Sequence, residues 1–282
     1  MPGFGGLPPE FSGYEGARVA VLPIPFDVSS SWMKGSDKGP AALIEASAHM
    51  ELYDIETATE VYRRGIYTCE PILAPGAREM MDKARRRVAE LLGDGKFVVA
   101  LGGEHTISLG VMEAFAARYP AMGVLHLDAH ADTRDEYEGD RYSHACVMAR
   151  AREFVKDVVS VGIRSMDASE AGGLDLSRVF FAHELQAGDG WVEEALGKLP
   201  GEVYVTIDLD VFDPGIMPST GTPEPGGLGW YQVMGLLRAV ARQKTIVGFD
   251  VVELCPTENK APDFLAAKLV YTLLSYRFSR QA

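Results

Sequence analysis

The sequence predicts an α/β protein built on one parallel sheet of about eight strands, with helices on both faces. Short apolar runs rich in β-branched residues alternate along the chain with longer segments of helical periodicity. The apolar runs are continuous, which is typical of strands buried on both faces of a parallel sheet. No change in composition marks a linker and no repeat is evident, so residues 1–282 are predicted to form a single domain.

The elements follow in order from local signals. Residues 1–16 are rich in glycine and proline and are expected to form an N-terminal surface arm. The predicted strands cover residues 17–25, 66–72, 97–101, 122–127, 157–163, 178–183, 203–207 and 245–252. Helices are predicted at 39–47, 77–92, 106–118, 145–154, 190–199 and 230–242, and a long helix ends the chain. Pro40 suits a first helical turn, and Gly93 ends the helix whose apolar stripe starts at Met80.

Composition limits the possible functions. A hydrophobic content of 47% is ample for a large core. The net charge of −13 argues against a nucleic-acid partner; it suits cationic substrates and equally an ordinary acidic protein. The three cysteines are far apart and form no C-x-x-C pair, which fits a reducing compartment. Neither a signal-peptide pattern nor a membrane-spanning apolar stretch is visible, so we expect a cytoplasmic protein without a membrane partner.

One strand is followed by a group of metal-binding residue types. The apolar run 122–127 leads directly into Asp128, His130 and Asp132. Side chains alternate in an extended chain, so these three are predicted to share one face. Two carboxylates and an imidazole at the end of a buried strand would resist desolvation unless a cation lies among them. A divalent metal ion is the obvious candidate.

Two other strands end in the same way. Strand 203–207 leads into Asp208 and Asp210, and strand 97–101 leads through two glycines, which allow a sharp turn, to His105. Carboxyl ends of parallel strands meet at one edge of a sheet, where ligands bind. The six residues combine four carboxylates with two neutral imidazoles, a formal charge of −4 that two divalent cations would cancel. The pattern therefore indicates a two-metal hydrolase site of oxygen and nitrogen ligands, suited to manganese, iron, cobalt or catalytic zinc.

Other interpretations apply to single residues. An isolated aspartate after a strand is more often a turn or helix cap, and only the conjunction of three such segments favours metal. His126 lies two residues deeper on the face of Asp128, which favours a core or supporting role. His144 follows a polar loop, residues 133–143, that starts beside Asp132. From the residues alone it is equally a proton carrier over the metals or a structural histidine.

These motifs resemble the ureohydrolase (arginase/agmatinase) family. The resemblance rests on Gly102-Gly103-Glu104-His105, Asp128-Ala129-His130-Ala131-Asp132 and the segment Asp208 to Pro214. Further similar segments are Gly39-Pro40, Gly221-Thr222-Pro223 and Val251-Val252-Glu253 with Pro256. Together they cover most of the chain. The resemblance implies a three-layer α/β/α arginase-like fold and two Mn²⁺ ions per subunit that hydrolyse a guanidino group to urea and an amine. It also implies a homotrimer or homohexamer.

The resemblance also implies a role for each residue. One manganese would be held by His105, Asp128, Asp132 and Asp208, and the other by His130, Asp128, Asp208 and Asp210. Asp128 and Asp208 would bridge the two ions. Asp132 would orient the attacking hydroxide, Glu253 would pair with the substrate guanidinium, and His144 would carry protons to the leaving amine and contact the substrate.

The substrate is expected to be a small cationic guanidine. Agmatine, cleaved to putrescine and urea, suits an acidic rim that the sequence places at Asp135, Glu136, Glu138 and Asp140. An arginase or a guanidino-acid hydrolase such as a guanidinobutyrase is the alternative, because Arg134 or Arg141 could bind a carboxylate. More distant alternatives are a single-zinc deacetylase of related fold and a non-catalytic metal-binding protein.

Overall fold

The computed structural model describes residues 3–186, 188 and 190–279. Its eight strands form one parallel sheet in the order β2-β1-β3-β8-β7-β4-β5-β6. The strands are β1 Val19–Ile24, β2 Ile66–Thr68, β3 Phe97–Gly102, β4 Gly123–Leu127, β5 Val158–Ile163, β6 Val179–Phe181, β7 Glu202–Asp208 and β8 Thr245–Val252. Every pairing between neighbours is parallel, as the continuous apolar runs predicted.

Helices cover both faces of this sheet and complete a three-layer α/β/α architecture. They are α1 Pro9–Ser12, α2 Gly39–Ser47, α3 Ala77–Gly93, α4 Ile107–Arg118, α5 Val147–Ala151, α6 Ala168–Ala171, α7 Gly190–Lys198, α8 Trp230–Gln243 and α9 Ala261–Ser279. Alternate residues of β1 divide between two cores. Val19 and Val21 belong to the core that also contains residues of α2, α7, α8 and α9, whereas Ala20 and Leu22 belong to the core with residues of α3, α4 and α5. Among the described residues, no helix is both long and apolar enough to span a bilayer.

Several element boundaries differ from the sequence prediction. Strand β2 ends at Thr68 and not at residue 72, because Pro71 has no N–H to continue the ladder. The helix expected at 145–154 is a 3-10 turn, His144–Cys146, followed by the five-residue α5. The expected N-terminal surface arm is partly packed: residues 1 and 2 lie outside the described residues, but the Phe4 side chain is buried in the core and its N–H donates to Thr68 Oγ1 at 2.8 Å.

Gly102 and Gly103, at the end of β3, are required for close packing and not for the predicted sharp turn. Neither Gly102 nor Gly103 has a positive φ. A Cβ atom on Gly103 would lie 2.1 Å from the carbonyl oxygen of Phe26, and one on Gly102 would lie 2.4 Å from Ile107 Cγ1. Close packing against the loop after β1 and against α4 therefore excludes larger residues here. This packing brings the β1 loop next to His105.

Candidate metal centre and substrate pocket

Four adjacent strands in the middle of the sheet, β3, β8, β7 and β4, end at the candidate site. The order of the strands along the sheet reverses direction in this region. Open α/β sheets bind ligands at the carboxyl ends of the strands beside such a reversal. The six predicted metal ligands and Glu253 gather at this edge: His105 follows β3, Asp128, His130 and Asp132 follow β4, Asp208 ends β7 with Asp210 beyond it, and Glu253 follows β8.

A first cluster surrounds the ring of His105. Its Nδ1 lies 3.2 Å from Asp128 Oδ2, 3.1 Å from Asp132 Oδ2 and 3.6 Å from Asp208 Oδ2. All four side chains are buried, yet Nδ1 forms no hydrogen bond within the described part of the chain. A buried nitrogen facing three carboxylate oxygens at these distances fits a divalent cation held between them.

A hydrogen-bond chain behind His105 fixes which nitrogen carries its proton. Its Nε2 lies 2.9 Å from Thr206 Oγ1, and that hydroxyl donates to Asp250 Oδ1 at 2.7 Å. The other oxygen of Asp250 accepts from the Tyr204 hydroxyl at 2.6 Å. A hydroxyl has one proton to give, so Thr206 accepts from His105 Nε2–H. The lone pair of the neutral ring is then on Nδ1, toward the carboxylates.

A second cluster lies beside the first and shares Asp128 with it. His130 Nδ1 is 3.0 Å from Asp210 Oδ2 and 3.5 Å from Asp128 Oδ1. Asp128, His130 and Asp210 could together hold an ion, and so could His105, His126, Asp128 and Asp132. Asp128 belongs to both groups, as a bridging ligand must. Asp208 reaches the first cluster through Oδ2 while its Oδ1 accepts from the Asp210 N–H at 2.9 Å, so its predicted bridging role stays a prediction.

The electrostatics of the metal-free clusters favour the uptake of cations. Burial raises the pKa of Asp208 well above its ordinary value, and the neighbouring charges of Asp210, Asp128 and Glu253 raise it further. Burial would lower the pKa of His130, but Asp210 and Asp128 outweigh it and raise that pKa to about 12. Without metal, the site therefore retains protons in place of positive ions.

The core histidine of β4 supports the site from below, in line with the supporting role predicted for it. His126 is fully buried, and its Nε2 lies 2.8 Å from Asp128 Oδ2 while Nδ1 lies 3.1 Å from Ser160 Oγ. It lines no part of the cavity above the clusters. His126 thus holds the shared carboxylate in position.

A cavity of about 290 Å³ opens above both clusters. His144, predicted to overhang the metals, lines its wall, with its ring edge-on to Tyr137 at a centroid distance of 5.6 Å. Other residues of the wall come from the segments that follow β1, β4 and β5: Ser30, Ser31, Trp32, Arg134, Met166, Asp167 and Glu170, the last of which lies in α6. The opening is large enough for a small, extended ligand.

Glu253 presents a buried carboxylate to this cavity. Its Oε1 accepts the N–H of His105 at 2.7 Å, which fixes the side chain relative to the first cluster. Its backbone is left-handed, with φ of 67°, and Asp132 has φ of 53°. Non-glycine residues pay strain energy in this region, so both carboxylates are held by the surrounding fold.

The prediction of which acidic residues surround the cavity is wrong. Asp135 is engaged by Arg150 at 2.6 Å and by Arg141 at 3.2 Å, and none of the four predicted acids lines the cavity. Apart from the predicted metal ligands and Glu253, the acids that line the cavity are Asp167 and Glu170, which follow β5. The rule that strand ends meet at one edge, applied to β5, would have pointed to this segment.

Two arginines near the site are occupied by protein groups. Arg134 lies 3.8 Å from Asp167 and 3.9 Å from Glu170 and stacks over the Tyr137 ring. Arg164, which the sequence did not single out, donates to the carbonyl oxygens of Asp210 at 2.6 Å and Glu224 at 2.8 Å. Arg164 thereby ties the turn that carries Asp210 to the loop beyond it.

Comparisons with known proteins agree with this geometry. The sequence profile of the Arginase family matches residues 17–275. An N(1)-aminopropylagmatine ureohydrolase of Synechocystis is 40% identical over 280 residues, covering 94% of this chain and 90% of that protein. An agmatinase of Bacillus anthracis is 34% identical, covering 93% of this chain and 92% of that protein.

Solved structures share the same architecture. The agmatine ureohydrolase of Thermoplasma volcanium superimposes with a TM-score of 0.90 at 30% identity, covering 100% of this chain and 96% of that one. An arginase from Medicago truncatula has a TM-score of 0.80 at 27% identity, covering 93% of this chain and 88% of that one. The chain therefore belongs to the arginase family of ureohydrolases.

Proposed function

We propose that this protein hydrolyses the guanidino group of a small cationic amine to urea and the free amine, at a centre of two divalent metal ions. The observation that carries the proposal is the convergence of four carboxylates and two imidazoles into two clusters that share Asp128, beneath a cavity that also receives Glu253. Family membership supports the same reaction class.

The geometry supports the two predicted ligand sets, except for the place of Asp208 in the second set, which stays a prediction. His105, Asp128, Asp132 and Asp208 would hold one ion, and His130, Asp128, Asp208 and Asp210 the other. Two bound divalent cations, expected to be Mn²⁺, would act as Lewis acids that make a water molecule a stronger nucleophile near neutral pH. The carboxylate of Asp132 accepts a hydrogen bond from the attacking oxygen and orients it.

Two residues of the cavity wall act on the substrate itself. Glu253 pairs with the guanidinium, because a planar fork against a carboxylate fixes the electrophilic carbon for attack. His144 transfers a proton to the leaving amine nitrogen as the C–N bond breaks, and solvent protonates the ring again. Both side chains line the cavity above the clusters.

The charge of the cavity favours a cationic substrate. Two divalent cations would neutralise the four ligand carboxylates. Of the remaining lining groups, Asp167, Glu170 and Glu253 are carboxylic acids, and Arg134 is the one lysine or arginine side chain in the described wall. Burial and the neighbouring Glu104 raise the pKa of Glu253 well above its ordinary value, so cations beside this carboxyl favour its ionised form. Because Arg134 is engaged by Asp167 and Glu170, a guanidino acid would have to compete for it. Agmatine, which has no carboxylate, is the expected substrate.

N(1)-aminopropylagmatine is a second candidate substrate. Relatives that are named for this activity are 34–40% identical to this chain, and the agmatinases compared are 31–34% identical. Trp32, an exposed aromatic residue in the cavity wall, offers a face on which an additional ammonium group could stack.

A urea-release screen tests the proposal. Manganese-loaded protein is assayed with agmatine, N(1)-aminopropylagmatine, arginine, guanidinobutyrate and guanidinopropionate, and metal content is measured on the same sample. Urea from one of the two cationic amines, with two ions per subunit, supports the proposal. One bound zinc ion together with deacetylase activity would favour a deacetylase instead. Bound metal without urea release from any of the guanidines would favour a non-catalytic metal-binding protein. Light scattering tests the expected homotrimer or homohexamer.

A further inference from the structure

The loop after β1, residues 25–35, is held against the metal centre by one buried carboxylate. Glu104 is fully buried, and its Oε2 accepts the backbone N–H groups of Val28 at 2.8 Å, Ser29 at 2.6 Å and Ser30 at 3.2 Å. Its Oε1 accepts the Thr106 hydroxyl at 2.7 Å. Glu104 directly precedes His105, so the carboxylate that fixes this loop is anchored to the metal site.

Ser29 connects this carboxylate to His144. Its Oγ lies 2.8 Å from Glu104 Oε1, 3.0 Å from the His144 backbone nitrogen and 3.0 Å from His144 Nδ1. Glu104 receives five donors and acts only as an acceptor, so the single hydroxyl proton of Ser29 points to it. The Ser29 oxygen must then accept from both His144 nitrogens, the backbone N–H and Nδ1–H.

This proton count determines the state of the histidine ring. With a proton on Nδ1, neutral His144 carries its lone pair on Nε2, and Nε2 is the atom that gains and loses a proton. The ring direction is set by the contact of Nδ1 with Ser29 on one side and by the edge-on contact with Tyr137 on the other. The 3-10 turn that carries His144 begins at this residue, so the Ser29 contact also fixes its start.

We propose that Ser29, held by Glu104, is a positioning residue that selects the Nδ1–H tautomer of His144 and directs Nε2 toward the substrate. The inference rests on the proposed function, in which His144 transfers a proton to the leaving amine. As the C–N bond breaks, the Nε2 proton moves to the amine nitrogen and Nδ1 keeps its proton on Ser29. The ring returns to the charged form by taking a proton from solvent.

The kinetic test compares two substitutions of Ser29 in the manganese-loaded protein. Ser29→Ala removes the acceptor for Nδ1–H, and we expect kcat to fall about 10- to 100-fold, as for other partners that orient a functional histidine. KM and manganese content are expected to stay unchanged, and Ser29→Thr, which keeps the hydroxyl, is expected to restore most of kcat. Ser36→Ala is the matched control, because Ser36 is a buried serine just after the loop whose hydroxyl has no partner among the described residues.

A second readout is independent of turnover. In zinc-loaded protein with ¹⁵N-labelled histidine, which avoids paramagnetic broadening, the six histidines give separate ring signals, and His144→Asn identifies that of His144. We expect the Nδ1–H tautomer in the wild-type protein and a mixture of tautomers in Ser29→Ala. An Nε2–H tautomer in the wild type, an unchanged kcat in Ser29→Ala, or a loss of kcat that Thr does not restore would overturn the proposal.

Failure of the proposed function would look different. If His144→Asn leaves urea release intact, or no guanidine is cleaved, then the catalytic role of His144 is wrong whatever the tautomer. If His144→Asn abolishes turnover but Ser29→Ala does not change it, then only the positioning role of Ser29 is wrong.

Discussion

At the scale of single residues, the site depends on groups whose protons are committed before a ligand arrives. His105 gives its Nε2 proton to Thr206, and Thr206 gives its own to Asp250. When a cation displaces the second ring proton that the metal-free site retains, the Nδ1 lone pair already points at Asp128 and Asp132, so the ring does not have to turn. Orientation of this kind lowers the cost of assembling a metal site.

Asp128 is the residue whose loss affects both clusters. Asp128→Asn keeps the shape of the side chain but replaces one carboxylate oxygen with an amide nitrogen, which is a poor ligand for a hard cation. We expect urea release to be abolished while the circular dichroism spectrum is retained. Asp82→Asn, on the exposed surface of α3, is the control. Near-normal activity of the Asp128 variant would refute its bridging role.

Glu253 tests the contact with the guanidinium. In Glu253→Gln a neutral amide replaces the carboxylate, and a hydrogen bond to a charged group is worth about 1.5–3 kcal/mol. We therefore expect kcat/KM to fall roughly 10- to 150-fold. Metal content, measured by elemental analysis, should stay unchanged because Glu253 is not a predicted ligand. An unaltered kcat/KM would show that another group holds the guanidinium.

At the scale of elements, loops after different strands are fastened to one another at the site. Arg164, one residue beyond β5, donates to Asp210 O in the 3-10 turn after β7 and to Glu224 O in the following loop. Asp213 closes the base of that loop by accepting the N–H groups of Gly226 and Gly227. Four prolines restrict the backbone of this loop, and these polar contacts constrain it further.

Arg164→Ala should weaken the binding of the metal ion that is predicted to be held by His130 and Asp210. The substitution leaves the Asp210 carbonyl without its donor, so the 3-10 turn loses its anchor while the ligands themselves remain. We expect manganese affinity for one of the two sites to fall about 10- to 100-fold by isothermal titration calorimetry. Arg242→Ala, an exposed arginine of α8, serves as the control. Equal affinity in both variants would contradict the anchoring role.

Trp32 should distinguish the two candidate substrates. Stacking of an exposed ammonium group on an aromatic face contributes about 0.5–1 kcal/mol. Trp32→Ala is therefore expected to raise the KM for N(1)-aminopropylagmatine about two- to fivefold more than the KM for agmatine. Tyr231→Ala removes another exposed aromatic residue, outside the cavity, and should change neither value. An equal rise in KM for both substrates would show that Trp32 does not contact the additional ammonium group of N(1)-aminopropylagmatine.

At the scale of the whole molecule, metal and pH act together on stability. His130 has a folded pKa of about 12 in the metal-free protein against an ordinary value of 6.5, and the pKa of His105 is also raised, since Asp128 and Asp132 outweigh its burial. Groups with a raised folded pKa stabilise the protein below the unfolded value and lose this contribution as pH rises. The lowered pKa of Asp128 acts in the opposite sense, but only on acidification below its ordinary value of 3.8.

The metal-free protein should therefore lose stability from about pH 6.5 to about pH 8.5. As the pH rises over this range, protons compete less with manganese for the ligand side chains. The stabilisation of the folded protein by manganese should therefore increase. We expect the difference in Tm between manganese-loaded and EDTA-treated protein to be larger at the higher pH, by several degrees. Differential scanning calorimetry measures this. A difference in Tm that becomes smaller as the pH rises would contradict the raised pKa values of the site histidines.

The sequence predicts the regular parts of this molecule and misses what lies in irregular loops. Continuous apolar runs indicated the eight strands, and the rule for parallel strand ends brought together His105, Asp128 and Asp208. Asp167 and Arg164 follow β5 without any periodic pattern or motif of their own. The rule for strand ends, applied to β5, points to this segment, but which of its side chains face the cavity depends on loop conformation, which neither composition nor spacing specifies.

The left-handed backbone at Asp132 and Glu253 has a consequence for engineering. Glycine would relieve the strain at either position but would delete a carboxylate that the proposed reaction needs. A library screened only for heat resistance should therefore accumulate Asp132→Gly or Glu253→Gly, whereas selection for turnover should eliminate both. Thermostability and catalysis conflict at these two residues, so improvements to durability must come from other parts of the chain.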